Sequence, residues 1–130
     1  MTHRYFIDLT GRVAANDPRM LESHVSLAVQ GFLRAKGWLV TPANAELLKR
    51  SKDRQAQPDV ADLWCIHVLF FPLFIELKRP KRRDGSRVLP GGKLRPGQIA
   101  WGMERAKEGF EYVVVDDVNI FQKWYEGSAH

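Results

Sequence analysis

Phe74-Ile75-Glu76-Leu77-Lys78-Arg79-Pro80 is the stretch from which the fold of this chain is read. An apolar run, Val68 to Ile75, leads directly into a carboxylate and an amine separated by one residue, and a dense basic segment follows. On an extended strand alternate side chains share a face, so Glu76 and Lys78 project together while Ile75 and Leu77 pack into the core. Ionised groups at the end of a core strand are costly to bury unless they are paired or bound to a metal. Taken alone, the tripeptide reads equally as a Glu and a Lys capping an edge strand.

Upstream, Gln57-Pro58-Asp59-Val60-Ala61-Asp62-Leu63-Trp64-Cys65-Ile66 turns from a Pro-Asp step into apolar residues. With the run from Val68 to Ile75, which Pro72 interrupts, this predicts two strands joined by a bend near Phe70 to Pro72. Antiparallel pairing of the two brings Asp59 and Glu76 toward the same end of a sheet. Before them, Lys49-Arg50-Ser51-Lys52-Asp53-Arg54-Gln55 is a polar, basic segment without periodicity, read as a solvated loop after a short helical turn over Ala45 to Leu48. Trp38 to Val40 reads as a strand ended by Pro42. A helix is predicted from Pro18 to Lys36, with Asp17 as cap, Pro18 in the first turn and Gly37 as the stop. Its buried stripe is Leu21, Val25, Ala28, Val29 and Phe32. Glu22 lies at the margin of that stripe, where as a plain surface residue it would favour the helix dipole. Tyr5 to Val13 suits a short strand or hairpin arm.

Downstream, Arg79 to Arg95 carries Arg79, Lys81, Arg82, Arg83, Arg87, Lys93 and Arg95 against the single acid Asp84. With several glycines and prolines it reads as a mobile, strongly positive loop. Pro96 begins a helix with Gln98 in its first turn, Ile99, Met103 and Ala106 on its buried face, and Gly109 at its end. Tyr112 to Val115 is a compact buried strand. Asp116 or Asp117 caps a last helix running through Trp124, and Gly127 to His130 is expected to fray.

At 130 residues the chain fits one domain, 1–130, with room for a real core. A net charge of +5 and a pI near 9.6 favour a polyanionic partner. One cysteine, Cys65, excludes an internal disulfide framework and a cysteine-based zinc site, which fits a reducing compartment. No stretch reaches membrane-spanning length and the N-terminus lacks a signal-peptide pattern, so a cytoplasmic, intracellular protein is expected.

The order helix, strand, strand, strand with E-x-K, helix, strand resembles the PD-(D/E)xK nuclease superfamily and, within it, the small freestanding VRR-NUC type. The residues that carry the resemblance are Glu22 in the first helix, Pro58-Asp59 before a strand, Glu76-Leu77-Lys78 with Arg79-Pro80, and Arg95-Pro96-Gly97-Gln98 opening the next helix, followed by Gly109 and Val113-Val114-Val115. It runs from about Met20 to Val115. Each motif is weak by itself and the ordered set is far more specific. Asp62 offers a second candidate acid close to Asp59, and the basic segment before Gln98 is longer than the family pattern needs.

The resemblance implies an α/β fold of the restriction-endonuclease type, a central mixed sheet flanked by helices in the order α-β-β-β-α-β, and metal-dependent hydrolysis of phosphodiesters. Magnesium or manganese takes hard oxygen ligands, which Asp59, Glu76 and the Leu77 carbonyl can supply, with Glu22 as a further candidate. Lys78 then orients water or neutralises charge growing on the phosphate, and Gln98 orients water or holds a phosphate oxygen. The basic segments, Lys49, Arg50, Lys52 and Arg54 in one and Arg79 to Arg95 in the other, would grip backbone phosphates. Small members of this kind are associated with homodimers cutting branched DNA such as four-way junctions, by endonuclease rather than exonuclease action. A non-catalytic nucleic-acid-binding protein on the same fold is the alternative, and RNA or another phosphodiester stays open as substrate. His24 and His67 lack paired ligand spacing, Trp38, Trp64 and Trp124 are assigned to packing or an interface, and Trp101 to a core or groove wall. Cys65 is read as simply buried.

Overall fold

The computed structural model describes residues 4–15, 17, 19–43, 59–128 and 130. Its elements run β1 (Phe6–Asp8), β2 (Ala14–Ala15), α1 (Glu22–Ala35), β3 (Leu39–Thr41), β4 (Leu63–His67), β5 (Phe70–Leu77), β6 (Lys81–Asp84), β7 (Arg87–Leu89), α2 (Pro96–Lys107), β8 (Glu111–Val115) and α3 (Val118–Gly127). Five strands form a mixed sheet in the order β1-β8-β5-β4-β3. β5 is parallel to β8 and antiparallel to β4, and β8 is parallel to β1. The architecture is therefore α/β, with a central mixed sheet between helices.

The two sheet faces are covered differently, and this places the site. Leu63, Cys65, Leu73, Ile75, Leu77, Val113 and Val115 point into a core closed by Val25, Val29 and Leu33 of α1 and Phe121 and Tyr125 of α3. Tyr112 and Val114 turn the other way, where Phe6, Phe74 and Trp101 close a smaller cluster beneath α2. β8 is buried on both faces from Tyr112 to Val115, which explains its unbroken apolar sequence. A second sheet, β2-β6-β7, stands off the end of β5.

Several expectations need correction. α1 starts at Glu22 rather than Pro18, because Asp17 turns its carboxylate onto the Arg19 N–H and the helix entry is capped instead by His24, whose Nδ1 accepts from the Leu21 N–H at 2.8 Å. Leu33 joins Val25 and Val29 in the buried stripe, while Leu21 and Ala28 are exposed. The helix does stop at Gly37, whose φ of 93° is left-handed. The turn between β4 and β5 lies at Val68 and Leu69, and Pro72 is accommodated inside β5.

Arg79 to Arg95 is not a featureless loop. Gly85 and Ser86 make a two-residue hairpin turn, Gly85 taking φ 61°, and Arg82 pairs with Leu89 across β6 and β7. On α2 the buried residues are Gln98, Gly102 and Ala106, with Ile99 exposed, because Gly102 brings the helix against the Tyr112 ring. Asp117 caps α3 by accepting from the Ile120 N–H at 3.0 Å, and α3 extends to Gly127. His130 is docked rather than frayed, stacked on Tyr125 and bonded to Glu111. Among the described residues no helix is long and apolar enough to cross a membrane. The predicted turn at Ala45 to Leu48 and the basic residues Lys49, Arg50, Lys52 and Arg54 fall outside the described residues, as does Pro58.

Candidate functional site

Strand periodicity splits the end of β5 into two functions. Ile75 and Leu77 sink into the core beneath α1, so Glu76 must face α2, and Lys78 follows it two residues later. Glu76 is 2 % exposed, and the Lys78 ammonium stands 3.7 Å from its Oε2. Gln98 locks the pair together. Its Nε2 donates to Glu76 Oε2 at 3.1 Å, while its Oε1 accepts from Lys78 Nζ at 2.8 Å and from the Arg95 N–H at 2.9 Å. The Tyr112 hydroxyl lies 3.5 Å from Glu76 Oε1. Pro96 delivers Gln98 to this position by starting α2 where a missing N–H costs nothing.

The acid standing beside Glu76 is Asp62. Leu63 pairs with Ile75 in the antiparallel register, which puts the residue before β4 opposite Glu76. Asp62 Oδ2 accepts from the Leu77 N–H at 2.8 Å, and its carboxyl group hydrogen-bonds that of Glu76. Burial first, then the neighbouring Asp62, push the Glu76 pKa up to about 9, and Lys78 only partly offsets this. Burial and the Glu76 charge also raise the Tyr112 hydroxyl.

Asp59 occupies a different place. Its carboxylate packs on Gly97 in the first turn of α2 so closely that any Cβ at Gly97 would overlap it. Arg95 lies 3.7 Å away as its ion partner. Asp59 therefore anchors a helix N-terminus, where a carboxylate complements both the dipole and the unpaired N–H groups. Asp59 thus lies against the first turn of α2, and it is Asp62 that stands opposite Glu76 in the strand register.

Glu22 opens α1 on the far side of Asp62. The residue is exposed, yet its carboxyl is shielded enough that burial, then the Asp62 charge, raise its pKa, with Lys78 acting in opposition. A cleft of about 240 Å³ lies between Glu22, Ser26, Pro42, Asp62 and Leu77. Because a strand residue turns its N–H and C=O to the same side, the Leu77 carbonyl also faces the Asp62 side, whereas the Lys78 N–H points back to Val115. Glu22, Asp62 and Glu76 thus confront one ammonium, and this crowding of hard oxygen donors suits a divalent cation. Among the described residues no three or more His, Cys, Asp or Glu side chains gather closely enough to hold a metal ion by themselves. The fit is to an ion held by a few carboxylates that keeps much of its water, which is the habit of magnesium.

The basic residues flank this end of the molecule. The chain leaves Lys78 into Arg79, Lys81, Arg82 and Arg83, turns, and returns through Arg87 and Lys93 to Arg95. Gly92 bonds back to the Arg79 carbonyl at 2.9 Å, so the hairpin closes over the Lys78 end of β5. Arg79, Arg83, Arg87, Lys93 and Arg95 are exposed, and Lys81 and Arg82 half-buried. His67 approaches the Lys36 carbonyl. Cys65 is buried, with a thiol pKa pushed up to about 12 that leaves it inert. Trp38 packs in the core and donates to the Tyr125 hydroxyl, whereas Trp64 is 38 % exposed. No family model, curated protein or solved structure matches the chain.

Proposed function

We propose that this protein is a divalent-metal-dependent nuclease of the PD-(D/E)xK type, resembling VRR-NUC enzymes, that hydrolyses DNA phosphodiester bonds. The observation that carries the reading is Asp62 paired with Glu76 at adjoining strand ends, with Lys78 held on the same face by Gln98. Asp62, Glu76 and the Leu77 carbonyl would hold magnesium or manganese, with Glu22 reaching the same cleft. The bound ion supplies polarisation of the phosphate and a water of lowered pKa.

The chain's own residues do the rest. Lys78 presents a compact positive charge to phosphate oxygens as their charge grows, and Gln98 fixes the ammonium by accepting a hydrogen bond from it. Glu22, across the cleft from Asp62, is placed to orient water. Asp59 anchors the N-terminus of α2, which carries Gln98 to the site. Arg79, Lys81, Arg82, Arg83, Arg87, Lys93 and Arg95 hold the backbone of the duplex arms by charge, which reads shape more than sequence. Branched DNA, cut endonucleolytically by a homodimer, is the substrate class this reading carries. The exposed apolar tip at Val68, Leu69 and Phe71 supports self-association.

The test is cleavage of labelled junction, flap, single-stranded and duplex DNA with and without magnesium or manganese. Metal-dependent cutting that disappears in Glu76→Ala supports the reading. Tight binding without cutting in either metal would replace it by a non-catalytic DNA-binding protein, and cutting of RNA alone would move the substrate class.

A further inference from the structure

We propose that Trp64 is a stacking platform for an unpaired nucleobase next to the scissile phosphate, an inference that rests on the nuclease reading and specifies its substrate. On β4, Leu63 and Cys65 point into the core, so Asp62, Trp64 and Ile66 alternate onto the opposite face, the one that carries Glu76. Trp64 is thus the next residue along that face from Asp62, about 7 Å away at strand spacing. α2 packs over β8 and β1. On this face over β4 and β3, α2 reaches Trp64 through Trp101, and Trp64, Ile66 and Leu39 remain 38 %, 59 % and 66 % exposed.

The indole is held in place rather than merely exposed. Its Nε1 donates to the Ala61 carbonyl at 3.2 Å, Phe74 meets it edge-on, and Trp101 stacks beside it with an interplanar angle of 29°. Arg105 lies over the Trp101 ring at 5.0 Å, so a cation backs the aromatic pair. A fixed, partly open aromatic ring within one nucleotide's reach of a phosphate-cleaving acid pair has the chemistry that binds a base by its π-face. Bases inside a duplex are already stacked on both sides, so only an unpaired or splayed base at a branch or flap can use this ring. Leu39 and Ile66, side by side in the β3–β4 register, prolong the apolar strip for the adjoining sugar or base.

The experiment measures affinity without metal, so that cutting does not interfere, for duplex DNA, for the same duplex with a single-stranded flap, and for a flap whose nucleotides lack bases. Trp64→Ala is expected to weaken binding to the flap about tenfold while leaving the plain duplex and the abasic flap unchanged. Trp64→Phe, which keeps a ring, should recover most of the loss and controls for folding. Equal loss on all three DNAs, or no loss on the flap, would overturn the proposal. So would conversion of a dimer to monomer by Trp64→Ala in sedimentation, which would make the strip a self-association face. Cleavage with metal is read separately. If it persists in Glu76→Ala the nuclease reading fails, whereas metal-dependent cutting with no Trp64 effect on flap affinity removes the stacking platform alone.

Discussion

The Leu77 backbone N–H donates to Asp62 Oδ2 at 2.8 Å, tying the finish of one central strand to the carboxylate that precedes its neighbour. This bond holds the Asp62 carboxylate against the Glu76 carboxyl, whose pKa burial and that neighbouring charge push up. Asp59 lies apart, on the first turn of α2, and the two acids therefore have distinct consequences when removed.

Asp62→Asn is expected to cut single-turnover cleavage at least a hundredfold with little loss of DNA affinity, since an amide cannot supply the hard anionic oxygen. Asp59→Asn should keep substantial activity and instead lower the melting temperature, because it weakens the charge at a helix N-terminus. Parallel melts and single-turnover rates check both. Full activity in Asp62→Asn with loss only in Asp59→Asn would return the ligand role to Asp59.

Magnesium or manganese should stabilise the folded protein even without DNA. At a hundredfold excess over the dissociation constant the gain is about 2.7 kcal/mol, seen as a raised melting temperature. Asp62→Ala and Glu76→Ala should each abolish the metal-dependent rise. A rise of the same size in both variants would place the ion elsewhere.

Stability in metal-free buffer should fall as pH rises. With Glu76 at about 9 in the fold and 4.5 when unfolded, the native state carries the extra proton between those values. The unfolded state then binds fewer protons, so the unfolding free energy declines through this window, with a slope of about 1.4 kcal/mol per pH unit for one full proton. Glu76→Gln should flatten that decline. Denaturant melts at a series of pH values compare the two, and parallel slopes would show that Glu76 is ionised in the fold.

The basic hairpin should govern salt dependence. Each cation that displaces a counterion contributes roughly one unit to the log–log slope of affinity against salt. Reversing Arg83, Arg87 and Lys93 together should reduce the slope by about three and weaken all DNA sequences alike. An unchanged slope means that the hairpin faces away from DNA.

What was legible in the sequence had a local cause. Glu76 and Lys78 share a face because a strand has period two, and Gln98 reaches them because Pro96 marks a helix start. The choice between Asp59 and Asp62 depended instead on register. A bend at Phe70 to Pro72 pairs Glu76 with residues well inside β4. The actual turn at Val68 and Leu69, together with the irregularity between Cys65 and His67, sets Leu63 opposite Ile75 and brings Asp62 to Glu76. The Gly85-Ser86 step was a hairpin signal hidden by the charge around it, and Trp64 reads as packing until it is seen to keep 38 % of its surface open beside Trp101 of α2.

Lys78 separates a catalytic charge from a phosphate clamp. Its side chain is 12 % exposed and its ammonium stands 3.7 Å from Glu76 and 2.8 Å from Gln98, a position set by the strand beneath it. If that charge stabilises the transition state, Lys78→Ala should slow single-turnover cleavage by about two orders of magnitude with little change in affinity, since only interactions stronger in the transition state accelerate chemistry. Lys78→Arg should rescue poorly, because the broad, planar guanidinium cannot occupy the same point or keep the single bond to Gln98. Gln98→Ala should reproduce part of the defect by releasing the ammonium, and adding Lys78→Ala to it should cost less than the two separate losses combined. If Lys78 only binds substrate, affinity falls, the rate at saturating DNA recovers and arginine substitutes well. That outcome would remove the catalytic role from Lys78 and leave the acid pair as the sole basis of the chemistry.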